Sequence, residues 1–288
     1  MPALRTQLLL TLAVITLLGA APPAAASERF EKVWCLRYAV APDAPLSMLL
    51  AGAPRDATLD VPFAICVARS PSQVVVLDSG YVNQKLGEPF GARDWMEYAP
   101  LLAEVGVGLD EVDFVTISHL HFDHAGGTSR FPEAKFILQR RELEFAAAAM
   151  PHNSAARQAF TAEDVIAAVQ LNWQGRMLLV DGDVEGVVPG VDVYLTPGHT
   201  AGTMTVCLDT TKGRVCYSSD AVYTYRNLDE DIPLGLALDS GEAVESFKKI
   251  RRILRGGKLI PGHEPRIFDK PQDFGFRRVT AHAVALVE

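Results

Sequence analysis

The segment SHLHFDHAGG, residues 118–127, places His119, His121, Asp123 and His124 within six consecutive positions. Of the seven histidines in the chain, three stand in this one block. Imidazoles and a carboxylate at this spacing are ligands for a divalent cation. The block follows the apolar run FVTIS, and in an extended chain residues two apart point the same way. His119 and His121 can therefore hold one metal together. A turn after them sends Asp123 and His124 toward a second position, and Gly126 and Gly127 let the backbone bend without a steric clash.

Two cations need further ligands, and three residues in similar settings supply them. His199 lies in VDVYLTPGHTAG, Asp220 in RVCYSSDAVY and His263 in KLIPGHEP, each just beyond a strand-like run. Asp220 is the natural bridge, because the two oxygens of a carboxylate can span cations about 3.5–4 Å apart. Two divalent cations held mostly by neutral histidine keep residual positive charge. That charge polarises a carbonyl and steadies a developing oxyanion, which is the chemistry of hydrolysis. Zinc is the default for such ligands, while iron, cobalt or manganese also suit a site without thiolate.

The elements that must carry these residues are readable from the apolar pattern. Strand-like runs are VWCLRYAV, PFAICVA, VVVLD, FVTIS, KFILQ, MLLV, VDVYL, MTVCL, GRVCYS and KLIP. Helical patterns cover residues 94–106, 140–149, 162–173 and 242–254. Strands early, alternation in the middle and hairpin signals near 203–218 predict an α/β chain of two mixed sheets packed face to face, with helices outside.

Composition bounds the rest. Arg5, the short apolar run LLLTLAVITLLGA and the small residues Ala24-Ala25-Ala26 read as an export signal over residues 1–26, leaving 27–288 as one hydrolase domain. No other segment is long and apolar enough to span a bilayer, so no stable membrane span is expected after signal removal. The expected location is periplasmic or secreted. Loss of Arg5 takes the formal charge from −8 to −9; so acidic a chain argues against nucleic acid as a partner. Export permits disulfides among Cys35, Cys66, Cys207 and Cys216. Cys207 and Cys216 flank a hairpin turn and can face each other, with buried free thiols an equal alternative.

Together these residues resemble the metallo-β-lactamase superfamily over nearly all of residues 27–288. The landmarks are Asp78 in VVVLDSG, the block His119, His121, Asp123 and His124, then His199, Asp220 and His263. The resemblance implies an αββα sandwich with two metals at one edge between the sheets, and it casts Asp78 as a residue that orients the metal loop without binding metal. Within the family, Asp220 stands where true β-lactamases typically carry Cys or Ser. His121 stands where flavodiiron-type oxidoreductases typically carry Glu. Residues 264–288 are too few for the C-terminal helical extension of glyoxalase II enzymes, and the added domain of nucleic-acid-processing members is likewise not found.

The block is most similar to that of the N-acyl homoserine lactonases, the quorum-quenching branch, including Phe122; these enzymes also carry a tyrosine at the offset of Tyr223 from Asp220. That likeness implies a dinuclear hydrolase that opens a lactone ring, with Tyr223 and Asp123 catalytic and Phe122 and Tyr223 facing the substrate. Part of DWMEY is expected beside an acyl tail. Other esters, thioesters or electrophiles such as isothiocyanates remain alternatives, as does a binding or sensing protein without turnover. The expected partner is a small-molecule lactone or ester, and a homodimer is among the assemblies left open.

Overall fold

The computed structural model describes residues 28–151 and 155–288. The export-signal reading of residues 1–26 lies outside them. Among the described residues, no helix is long and apolar enough to cross a membrane.

Strands β1 (Lys32–Pro45), β2 (Thr58–Arg69), β3 (Val74–Leu77), β4 (Phe114–Thr116), β5 (Lys135–Gln139) and β6 (Met177–Val180) build the larger sheet. The chain then forms the smaller sheet from β7 (Val184–Val188), β8 (Val191–Leu195), β9 (Met204–Thr210), β10 (Gly213–Ser219) and β11 (Lys258–Pro261). It returns through β12 (Arg277–Arg278) and β13 (Ala283–Val287), which add to the first sheet beside β1. Strands β3 to β6 run parallel to one another, whereas the β12–β13, β13–β1, β1–β2 and β2–β3 pairs are antiparallel; in the smaller sheet only β10 and β11 are parallel.

Side-chain alternation explains why both sheets read as apolar runs. On β1, Val33 and Cys35 enter the layer between the sheets, while Trp34 and Leu36 face the outer layer. On β3, Val75 and Leu77 face inward, Val74 and Val76 outward. On β9 and β10, Val206, Val215 and Tyr217 meet the larger sheet, and Cys207 and Cys216 point away from it. Strands buried on both faces lose the polar half of the pattern. Helices cover the outer faces: α1 (Tyr98–Ala103) with Leu101 and Leu102, α4 (Ala162–Trp173) with Ala168 and Leu171, and α6 (Ser240–Ile253) with Phe247 and Ile250. Between α1 and α4 lie the short turns α2 (Phe122–Ala125) and α3 (Arg140–Glu144), and α5 (Tyr225–Asp229) follows β10. The two-sheet sandwich with outer helices is the architecture expected from the pattern.

The cysteines form two disulfides, Cys35–Cys66 across β1 and β2 and Cys207–Cys216 across β9 and β10. In each case the partners stand directly opposite in the register, with Cα atoms 4.0 Å apart. The alternative of buried free thiols does not hold.

Some boundaries differ from expectation. The helix read over 94–106 is confined to Tyr98–Ala103, and the run at 140–149 breaks after Glu144 into a wider π turn. Strands β7, β12 and β13 were not legible. Only Val188 of β7 is buried, and Glu185 and Gly186, φ 65°, interrupt its apolar residues, so it lacks a continuous apolar signature.

Candidate metal centre

Every candidate ligand leaves its strand at the same edge of the sandwich. His119 and His121 follow β4, His199 follows β8, Asp220 follows β10 and His263 follows β11. The amide of Met204, at the start of β9, donates to the Ser118 carbonyl at 3.0 Å and ties the two sheets together beside the histidines. Ser219 adopts φ 48° just before Asp220, a left-handed conformation that a non-glycine residue holds only where its surroundings impose it. A Cβ on Gly262 would overlap the Asp220 carboxylate, so glycine before His263 permits that close approach.

The ligand atoms form two groups. In one, His119, His121, His199 and Asp220 bring single donor atoms within 4.8 Å of one another; in the other, Asp123, His124 and His263 do the same. His199 Nε2 lies 3.1 Å from His119 Nε2 and 2.9 Å from His121 Nδ1. Asp220 joins the groups. Its Oδ2 is 3.3 Å from His199 Nε2, and its Oδ1 is 3.2 Å from His263 Nε2 and 3.4 Å from His124 Nε2. Asp123 Oδ2 completes the second group at 3.3 Å from His124 Nε2 and 3.6 Å from His263 Nε2.

The far ring nitrogens determine which nitrogen faces the centre. His199 Nδ1 donates to the Leu236 carbonyl at 2.9 Å, and His263 Nδ1 to the Pro62 carbonyl at 2.9 Å. A carbonyl can only accept, so both rings carry the proton on Nδ1 and turn the Nε2 lone pair inward. His124 Nδ1 contacts Asp78 Oδ2 at 2.7 Å, and His119 Nδ1 contacts Ser118 Oγ at 3.0 Å. Asp78 stands behind the ligands: it also accepts from the Ser118 amide, Tyr217 hydroxyl and Ser219 hydroxyl at 2.7, 2.8 and 3.0 Å. Tyr38 donates to the Asp123 carbonyl at 3.1 Å from beneath the turn.

Without cations this cluster is electrostatically poor. Burial drives the pKa values of His119, His121 and His199 down, so these rings are neutral. Burial also opposes charge on His124, but the Asp123, Asp220 and Asp78 carboxylates outweigh it and hold its pKa well above the usual histidine value. Asp78, Asp123 and Asp220 pair only with histidines, with no Lys or Arg among the described residues. His124 Nε2 and Asp220 Oδ1 are buried and have no hydrogen-bond partner. An orphaned buried polar atom costs about 1–3 kcal/mol. Inward lone pairs, unpaired carboxylates and orphaned donor atoms are what two divalent cations would satisfy, and the residues fit them.

The centre opens on a cleft of about 600 Å³ whose other walls are apolar, among them Met48, Val61, Phe63, Phe90, Phe122 and Leu236. Phe90 stacks on Phe122, ring centroids 5.8 Å apart. A second hollow of about 790 Å³ shares Met48, Phe90, Ala159 and Leu236 and carries the cleft outward. The DWMEY segment lines neither; Trp95 instead donates its indole N–H to the Tyr81 carbonyl at 3.1 Å. Segments near Met48 and Leu236 take that place, and no motif in the sequence marked them. Tyr223 is in the cleft wall with its hydroxyl 3.1 Å from His199 Nδ1 and 3.4 Å from the Leu236 carbonyl. Burial, then Asp220 and Asp123, push its pKa well above the phenol value, so it remains a donor.

A sequence profile of the metallo-beta-lactamase superfamily matches residues 61–263. The chain belongs to the metallo-beta-lactamase superfamily. It is 34% identical over 167 residues to an N-acyl homoserine lactonase of Bacillus cereus, an alignment covering 57% of this chain; the chain spans 60% of the length of that relative. It superposes on a solved N-acyl homoserine lactone hydrolase with the product N-hexanoyl-L-homoserine bound at its catalytic metal centre, with TM-score 0.67 and 22% identity, covering 85% of this chain and 96% of that one. It also superposes on a dizinc quorum-quenching lactonase in complex with a product, with TM-score 0.64 and 17% identity, covering 83% of this chain and 91% of that one. These two likenesses carry the sandwich fold.

Proposed function

We propose that this protein is a dinuclear metal-dependent hydrolase that opens lactone rings, with N-acyl homoserine lactones as the favoured substrates. The observation that carries the reading is the shared Asp220 between two ligand groups, at the floor of an apolar cleft with one phenol in its wall. His119, His121, His199 and Asp220 would hold one cation; Asp123, His124 and His263, with Asp220, would hold the other. Zinc suits nitrogen and oxygen donors without thiolate. The named activity of the Bacillus cereus relative and the dizinc neighbour support substrate and metal alike.

Two divalent cations supply polarisation of a carbonyl and water of lowered pKa. The chain's own residues do the rest. Phe122, Phe90 and Met48 place an apolar acyl arm along the cleft and exclude water from it. Tyr223 donates a hydrogen bond to the carbonyl oxygen as negative charge develops there. Asp123, whose side chain is 11% exposed toward the cleft, passes a proton that originates on the attacking water to the leaving ring oxygen. The ester C–O bond breaks, and one lactone plus one water become one hydroxy acid.

Metal-reconstituted protein assayed by proton release against acyl homoserine lactones, plain lactones, esters and thioesters should prefer the lactones. Preference for an ester or thioester would move the substrate, and no turnover of any of them would leave a metal-binding protein. The location we propose is periplasmic or secreted, supported by two disulfides, which oxidising compartments favour. Mass spectrometry of protein from its native host should find a chain beginning near Ser27; a full-length chain in the cytosol would contradict this.

A further inference from the structure

Glu142 is fully buried at the start of α3, outside both ligand groups, and the reading above gives it no part. Among the described residues no Lys or Arg pairs with it; adjacent Arg141 turns away to Glu242 at 3.2 Å. Its carboxylate instead joins the two loops that carry the three histidines of the first group. Oε1 accepts the amide of Leu120 at 3.0 Å, between His119 and His121. Oε2 accepts the Thr200 hydroxyl at 2.7 Å and the Gly202 amide at 2.8 Å, just beyond His199. Thr200 is held in turn by Thr203, whose hydroxyl is 2.7 Å away. The approach is close: a Cβ on Gly202 would overlap the backbone of Glu142. One carboxylate thus spans the gap between a loop from the larger sheet and a loop from the smaller one.

We propose that Glu142 is a positioning residue for the three-histidine metal site, setting the separation of His199 from His119 and His121 by clamping both loops. The inference rests on the two-metal reading. A buried carboxylate without a cationic partner is costly unless its oxygens are filled by donors, and the donors here are the backbone and hydroxyl of the ligand loops. The second group is held by a different carboxylate, Asp78, which contacts His124 Nδ1 and accepts from Ser118 and Ser219. Among the described residues Glu142 makes no hydrogen bond to Asp123, His124 or His263. Asp123 and His124 are tied through Tyr38 and Asp78, and His263 through the Pro62 carbonyl.

Glu142→Gln keeps the shape but presents one oxygen and one NH2. With the oxygen toward Leu120, the NH2 meets the Gly202 N–H; with the oxygen toward Gly202, it meets the Leu120 N–H. Either way one backbone donor loses its acceptor and one loop is released.

The test separates the sites. His263→Ala leaves the three-histidine group intact, and His121→Ala leaves the Asp123, His124 and His263 group. Zinc affinity of each parent is measured against a chromophoric chelator. Adding Glu142→Gln should weaken zinc about ten- to a hundredfold in the His263→Ala parent, as loss of a hydrogen-bonding partner behind ligands does. In the His121→Ala parent the change should stay below about threefold. Thr200→Val, which removes one donor and leaves the carboxylate, should weaken the same site by a smaller factor. Equal losses in both parents would make Glu142 a general packing residue and overturn the proposal, as would no loss in either. Parents that bind no zinc would overturn the two-metal reading itself, and the positioning role with it.

Discussion

Replacing Tyr223 by phenylalanine removes one hydroxyl and little else. The ring lies 5.3 Å from the His199 ring and 5.6 Å from the His263 ring, centroid to centroid, and phenylalanine preserves both contacts. The hydroxyl's own contacts are a 3.1 Å approach to His199 Nδ1 and a long 3.4 Å bond to the Leu236 carbonyl. His199 Nδ1 already donates to Leu236 at 2.9 Å, so the orientation of that ligand does not need the phenol. Metal content and folding should therefore match the wild type. Loss of an oxyanion donor costs on the order of a hundredfold in turnover, about 3 kcal/mol. Two cations would share the same developing charge, which lowers the expected loss toward about tenfold, or 1.4 kcal/mol. The assay is kcat and KM on a lactone series at saturating metal, with metal content measured by plasma emission on the same samples. The loss should fall on kcat, because the bond strengthens as charge develops. Wild-type kcat in Tyr223→Phe would refute the donor role and reduce the tyrosine to packing. A drop in activity with a parallel loss of metal would show instead that the hydroxyl acts through His199.

Two further outcomes follow from the same geometry. Wild-type protein should hold close to two metals per chain, and Asp220→Ala should lose metal and activity together, because its two oxygens face different ligand groups; one tightly held metal in active wild type would remove the bridge. Replacing Cys207 and Cys216 by alanine opens a cross-link between residues 9 apart in sequence and should lower stability by about 2–3 kcal/mol in urea unfolding, and an unchanged midpoint under non-reducing conditions would contradict that.

What could be read directly was whatever is local or periodic. The block His119 to His124 is local, since a strand end followed by the single helical turn Phe122–Ala125 aims two ligand pairs in different directions. Ten strands were visible because they are runs of apolar residues, most of them buried on both faces over their central residues. β7 was invisible because Glu185 and Gly186 interrupt it and only Val188 is buried, and β13 because AVALV follows a stretch with no turn signal strong enough to isolate it.

The sequence by itself determined that the chain carries seven metal-ligand candidates at strand ends and two sheets to hold them. Only the tertiary structure decided which oxygen of Asp220 faces which group and which ring nitrogen of each histidine points inward. It also decided that Met48 and Leu236, not DWMEY, wall the cleft, and that Glu142 clamps two ligand loops. The reason is physical. Periodicity and turn chemistry act over a few residues, whereas a hydrogen bond from Gly202 to Glu142 closes 60 residues of chain and exists only once both sheets have packed.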